Sequence, residues 1–97
     1  MHVTTKSDAG TLTIFISGRF DFSIHNEFRQ ATKAVDAKTQ SIVVDLSHTD
    51  YLDSSALGML LILRDKVPNN LVKIVGARID VKKILEIANF DKLFSVV

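Results

Sequence analysis

Along "TLTIFISG", Leu12, Ile14 and Ile16 alternate with Thr11, Thr13, Phe15 and Ser17, the two-residue period of a strand. Gly18 is expected to end it. His2 to Lys6 is placed to pair with this strand as a hairpin through "SDAG", with Asp8 and Gly10 supplying the turn chemistry. From Ser23 the period lengthens: "SIHNEFRQATKAVDAK" sets Ile24, Phe28, Ala31 and Val35 at helical intervals, with Ser23 as N-cap. "SIVVDL" has an unbroken apolar centre, Ile42 to Val44, as expected of a central strand covered on both faces. "DSSALGMLLILRDK" then reads as a second helix, capped by Asp53 and stopped at Pro68, with Asn69 and Asn70 beyond. A strand over Leu71 to Val75 follows. "DVKKILEIANF" predicts a third helix that starts at Asp80, groups Val81, Ile84, Leu85 and Ala88 on one face, and closes at a left-handed Asn89. "DKLFSVV" finishes as a turn of helix or a last short strand.

The order β-β-α-β-α-β-α predicts an α/β domain whose mixed sheet of four to five strands is antiparallel at one edge, with helices packed mainly on one face. The 97 residues make one domain, 1–97, because a second core would leave each half below the ~50 residues at which domains usually begin. A chain this short buries only roughly 60 to 65% of its unfolded surface, so most apolar residues go to the core and few remain to wall an enclosed active site.

Charge and composition exclude more than they select. Twelve Lys plus Arg against eleven Asp plus Glu give a net charge of +1, too weak a field to argue for nucleic acid or an anionic membrane. There is no cysteine, hence no disulfide, thiolate metal site or Cys nucleophile. "MHVTTKSDAG" lacks the order of a secretory signal, and the longest apolar stretch falls well short of the ~18 residues of a membrane span. A cytoplasmic protein is expected.

Catalytic patterns are weak. His2, His25 and His48 fall at the terminus, on the first helix and in the presumed loop after the central strand, with no spacing that joins two as metal ligands or sets one as base to a serine. Gly10, Gly18, Gly58 and Gly76 are scattered, so no phosphate-cradling loop is present. In "DSSALG", Asp53 stands where a nucleophile elbow needs its first glycine. Asp45, Asp50 and Asp53 form the sharpest acidic set, but a phosphate-accepting receiver domain has a longer, five-fold βα alternation; capping and loop turns account for these acids. Neither an enzyme nor a metal or cofactor site is expected.

The start of the second helix is more informative. Ser54 and Ser55 fall where backbone N–H groups lack intrahelical partners and the helix dipole is positive, so an added anion is tolerated there. Phosphorylation would bring about −1.5 to −2 charges, while Asp53 already holds one negative charge at the same place. With each dipole contribution at ~0.3 to 1 kcal/mol, the two effects nearly cancel in stability and the modification would act on a partner. The helix is also apolar almost all round. Ala56, Leu60, Leu63 and Val67 share one face, leaving Leu57, Met59, Leu61 and Ile62 as surplus apolar residues available to a partner.

These residues resemble a known family. "VVDLSHTDYLDSSALGMLLIL" is similar to the central signature of the STAS domain, and specifically of bacterial anti-sigma factor antagonists: strand, acid, loop, Asp-Ser-Ser, then a Leu-Gly helix. "ISGRFD" resembles the family's Gly-x-x-Asp end to an early strand, and "ILEIANFDKLF" its closing helix and turn. The resemblance implies a switch protein without catalytic activity. Its unphosphorylated form binds an anti-sigma factor and frees a sigma factor; phosphorylation by a GHKL-type serine kinase, often the anti-sigma factor itself, stops that binding, and a PP2C-type phosphatase restores it. The matching acceptor is Ser54, with Ser55 the second choice and Asp21, Asp53 and Ser55 as its surroundings. Ala56 replaces a glycine that often follows the serines, adding a methyl beside the acceptor, and Asn89 replaces a glycine before the last turn. The expected free state is a monomer. The alternative is a stand-alone STAS subunit of a transporter or lipid-trafficking complex, in which the serine site is structural.

Overall fold

The computed structural model describes residues 2–67 and 71–97 of the chain. In it β1 (Val3–Asp8) and β2 (Thr11–Phe20) form the expected hairpin, in register from Val3↔Ile16 to Asp8↔Thr11. The turn is made by Ala9 and Gly10, both at positive φ (50° and 85°), the combination whose twist matches the flanking strands. Asp8 belongs to the ladder, so it does not supply the turn chemistry assigned to it.

After the hairpin come α1 (His25–Thr32), β3 (Ser41–Leu52), α2 (Ser54–Arg64), β4 (Val72–Val75), α3 (Ile79–Ile87) and β5 (Ser95–Val96). The sheet order is β1-β2-β3-β4-β5, parallel from β2 onward. Parallel crossovers are almost always right-handed, so successive steps in one direction across the sheet put α1, α2 and α3 on the same face. Burial follows: Leu12, Ile14, Ile16 and Phe20 of β2 are buried, while Phe15, Ser17 and Arg19 on the other face are exposed. Val43 is only half-buried. The apolar run Ile42 to Val44 therefore serves one covered face, not two.

The central strand is twice the length its apolar pattern suggested. Inward positions are Ile42, Val44 and Leu46, then Thr49 and Leu52, so the period changes from two to three. Thr11 to Phe20 of β2 faces Ser41 to Leu52 of β3, and β3 absorbs its two additional residues at irregularities between Phe15 and Ser17 and between Gly18 and Arg19. Gly18, left-handed at φ 80°, lies on β2 opposite the second irregularity, and β2 continues through it to Phe20 instead of ending there. The fully buried Thr49 hydroxyl donates to the Ile16 carbonyl at 2.8 Å across this break. Polar "SHTDY", which reads as a loop, is thus bulged strand.

Helix boundaries differ in a similar way. The first helical segment opens with a 3-10 turn, Phe22–Ile24, capped by Asp21 and not by Ser23. α1 ends at Thr32, whose hydroxyl donates to the Arg29 carbonyl at 2.7 Å, and a turn about Asp36 and Thr39 draws the chain back to the sheet. α2 ends at Arg64 with Asp65 as C-cap; the stop expected at Pro68, with Asn69 and Asn70, lies outside the described residues. α3 begins at Ile79, and Asn89 is left-handed at φ 61°, as its place after the helix implies. The tail forms both a 3-10 turn, Phe90–Lys92, and β5.

Just beyond β4 the backbone passes close to the bulged strand. Gly76 has φ 72°, and a Cβ there would lie 2.9 Å from the Ser47 Cβ. Gly76→Ala combines left-handed strain, about 1 to 2 kcal/mol, with overpacking of about 1 to 3 kcal/mol. Urea denaturation is expected to show a loss of at least about 2 kcal/mol, where Gly58→Ala, in open space on α2, gains up to about 1 kcal/mol.

Candidate functional site

The site follows from the end of the β2–β3 register. Phe20 pairs with Leu52 in the last step of the ladder, so the chains leave the sheet side by side and the next residues, Asp21 and Asp53, occupy equivalent places. Both are extended, at φ −135°, ψ −170° and φ −125°, ψ −172°, and each caps the helical turn that follows. Asp53 Oδ1 accepts from the Ala56 amide at 3.1 Å. Asp21 Oδ1 accepts from the Ser23 amide at 2.9 Å and from the Ser23 hydroxyl.

Arg19 completes the neighbourhood. Its Nε donates to Asp21 Oδ2 at 3.2 Å, and its guanidinium lies 4.1 Å from the centre of the Tyr51 ring, a cation–π contact between cross-strand partners. Ser23 hydrogen bonding, first from its hydroxyl and then its amide, holds the Asp21 carboxyl below the usual carboxylate range, with Arg19 adding to the effect against partial desolvation. Sequence reasoning found Asp21 but not Arg19, Ser23 or Tyr51. The i, i+2 spacing of Arg19 and Asp21 on a strand, which puts both on one face, was the available signal.

At the start of α2, Ser54 is exposed, Ser55 half-buried and Ala56 fully buried. The Ala56 methyl therefore faces the core and adds no bulk to the surface around Ser54, contrary to the expectation from sequence. Along the helix, Ala56, Leu60, Leu63 and Val67 are buried as the periodicity implies. Leu61 and Ile62 are exposed at 40% and 63%, and Leu57 is partly buried against the core. Met59 is not surplus surface: it is 6% exposed and joins the core on the side of α2 facing α1, where it lines a cavity with Phe28, a neighbour that helical spacing alone does not reveal.

The residues now fixed in space can be compared with known proteins. The sequence profile of the STAS domain matches residues 2–97. The chain belongs to the STAS domain family. A STAS-domain containing protein of Pseudomonas aeruginosa (strain UCBPP-PA14) is 47% identical over 93 residues, covering 94% of this chain and 92% of that protein. Among solved structures, an anti-sigma factor antagonist from Mycobacterium paratuberculosis superposes with TM-score 0.84 at 23% identity, over 97% of this chain and 82% of the other. The anti-sigma factor antagonist SpoIIAA in its unphosphorylated form gives 0.81 at 13% identity, over 98% and 87%. A sulfate transporter family protein from Wolinella succinogenes gives 0.74 at 12% identity, over 95% and 82%. At these identities the structures show the fold that this STAS domain shares.

Other chemistry-bearing groups of this STAS domain lie away from α2. His48 stands in β3, not in a loop, and lines a shallow cavity of ≈260 Å³ on the open face with His2 and Asp45. Its Nδ1 is 3.1 Å from the Ser47 hydroxyl, but Asp45 accepts from the Ser47 amide at 2.9 Å and so does not orient the ring. Among the described residues, no group of three or more His, Asp or Glu could hold a metal, and no helix is long and apolar enough to cross a membrane.

The cap of the first helical turn has a pH signature. A carboxyl with a depressed folded pKa stabilises above its unfolded value, ~3.9 for Asp, and loses that contribution as pH falls through the folded value. Urea curves for wild type and Asp21→Asn should therefore differ most near neutrality, with wild type more stable, and converge as pH falls through the lowered folded value, below which both side chains are uncharged.

Proposed function

We propose that this STAS domain is an anti-sigma factor antagonist of a partner-switching pathway. Unphosphorylated, it binds an anti-sigma factor and so frees the sigma factor; phosphorylation at Ser54 ends that binding. The carrying observation is that Ser54 is exposed at the first position of α2, on the same helix as the uncovered side chains of Leu61 and Ile62. The structural likeness to two antagonists, one described in an unphosphorylated form, supports this reading. Ser54 is preferred over Ser55 because Ser55 is half-buried. A GHKL-type serine kinase would transfer the terminal phosphoryl group of ATP to the Ser54 oxygen, which gives up its proton, and a PP2C-type phosphatase would return the hydroxyl with water as acceptor.

The surroundings explain why such a change would act on binding. Asp53 already occupies the Ala56 amide, and Asp21 stands at the equivalent end of the neighbouring strand. A phosphate of about −1.5 to −2 charges thus enters a place favoured by the helix dipole but flanked by carboxylates. Attraction and repulsion each amount to roughly 0.3 to 1 kcal/mol, leaving the fold little changed, while a surface that a partner must desolvate becomes strongly anionic. Asp21, Asp53 and Ser55 shape this site; Leu61 and Ile62, with the edge of Leu57, give the apolar contact.

Ser54→Asp and Ser54→Glu are expected to stay within about 1 kcal/mol of wild-type stability yet lose the partner, while Ser54→Ala binds it constitutively. Pull-down from cells with Ser54→Ala and Ser54→Asp should retain an anti-sigma factor or GHKL-type kinase on the first and not on the second. The same proteins on both variants, or a transport ATPase in place of a kinase or phosphatase, would favour a stand-alone STAS subunit of a transporter or lipid-trafficking complex.

A further inference from the structure

Between α1 and α2 a cavity of ≈170 Å³ opens to solvent, with Phe28 and Met59 lining it, Ile62 beside them, and His25, Arg29 and Lys66 around the opening. Phe28 and Met59 are buried, and Ile62 is 63% exposed. Phe22, also uncovered, stacks on His25 with ring centres 5.0 Å apart, which extends the apolar surface beyond the cavity. The volume falls below the ~300 Å³ at which small-molecule sites begin, but it admits one large apolar side chain, the usual form of an interface anchor.

Charge around this groove has one sign. Arg29 and Lys66 are exposed. Glu27 of α1 is directed to β1, where it accepts from the His2 amide at 2.8 Å and the Val3 amide at 3.2 Å, and Asp65 is the C-cap of α2; neither lines the cavity. The geometry points to a docking site for an acidic amphipathic helix of a partner protein. One apolar side chain enters between Phe28 and Met59, a second covers Ile62 one helical turn away, and carboxylates flanking that stripe meet Arg29 and Lys66.

The groove shares Ile62 with the apolar contact proposed above, while its anchoring residues Phe28 and Met59 are no part of the switch. Ser54 and Ile62 are eight residues apart, ~12 Å along the helix, which exceeds the ~8 Å Debye length at physiological salt. Charge at Ser54 is therefore largely screened from Ile62 at physiological salt. The inference rests on α2 facing a partner, not on Ser54 being the acceptor.

The test is an amide NMR titration of the full chain with two synthetic helical peptides that share one Leu/Ala stripe, flanked by Glu in one and Lys in the other. The Glu peptide should give saturable shifts around Phe28, Met59 and Ile62. Its binding should weaken about tenfold in the Arg29→Glu/Lys66→Glu variant, the size expected for reversing two exposed charges at low salt. Equal binding of the Lys peptide, shifts elsewhere, or indifference to the double charge reversal would overturn the proposal. So would concentration-dependent shifts in the groove without peptide, since a second copy would then be its occupant. Groove binding with an unchanged Ser54→Asp pull-down removes only the switch; the converse pair of results removes only the groove.

Discussion

The parallel register of β2 with β3 is the constraint on which the site depends. Because Phe20 and Leu52 end the ladder together, Asp21 and Asp53 leave the sheet at neighbouring points and cap adjacent helical segments. That alignment requires β3 to absorb two more residues than β2, which the irregularities between Asp45 and His48 and between Thr49 and Tyr51 accomplish. Gly18 at positive φ and the buried Thr49 hydroxyl on the Ile16 carbonyl hold the irregular stretch. Without it, Leu52 would fall out of step and α2 would begin elsewhere relative to Asp21.

Once α2 is placed, its composition decides what it can offer. One stripe, Ala56, Leu60 and Leu63, is buried in the core, and so is Met59 on the side toward α1. Leu61 and Ile62 are left in solvent because all three helices lie on one face of the sheet and nothing among the described residues covers them. The polar first turn and the apolar outer face belong to one rigid rod, with the acidic caps at one end and the cationic groove near the other. The proposed binding surface and the proposed switch position are thus carried by the same element without sharing the same atoms.

Much of this was legible in the sequence. Strict alternation identified β2; the Asp53 cap and the buried stripe identified α2; left-handed Asn89 was read from its position after a helix. The missing parts share a physical cause. A bulge changes the inward period from two to three, so "SHTDYL" looks like loop although Thr49 and Leu52 are core positions. Helical plotting cannot show which neighbour covers a flank, hence the misplacement of Met59 on the surface and of the Ala56 methyl beside Ser54. Nor does local pattern reveal cross-strand partners such as Arg19 and Tyr51, which depend on a register that the bulges alter.

Site-resolved mass spectrometry of the protein isolated from its own cells with phosphatases inhibited is the most direct measurement of the central claim, that α2 presents a reversible acceptor at its first residue. The account predicts phosphate on Ser54, with amide NMR spectra of the phosphorylated protein changed around the start of α2 and preserved over the sheet. Phosphate on another residue with Ser54 unmodified, or loss of the native spectrum on modification, would contradict it.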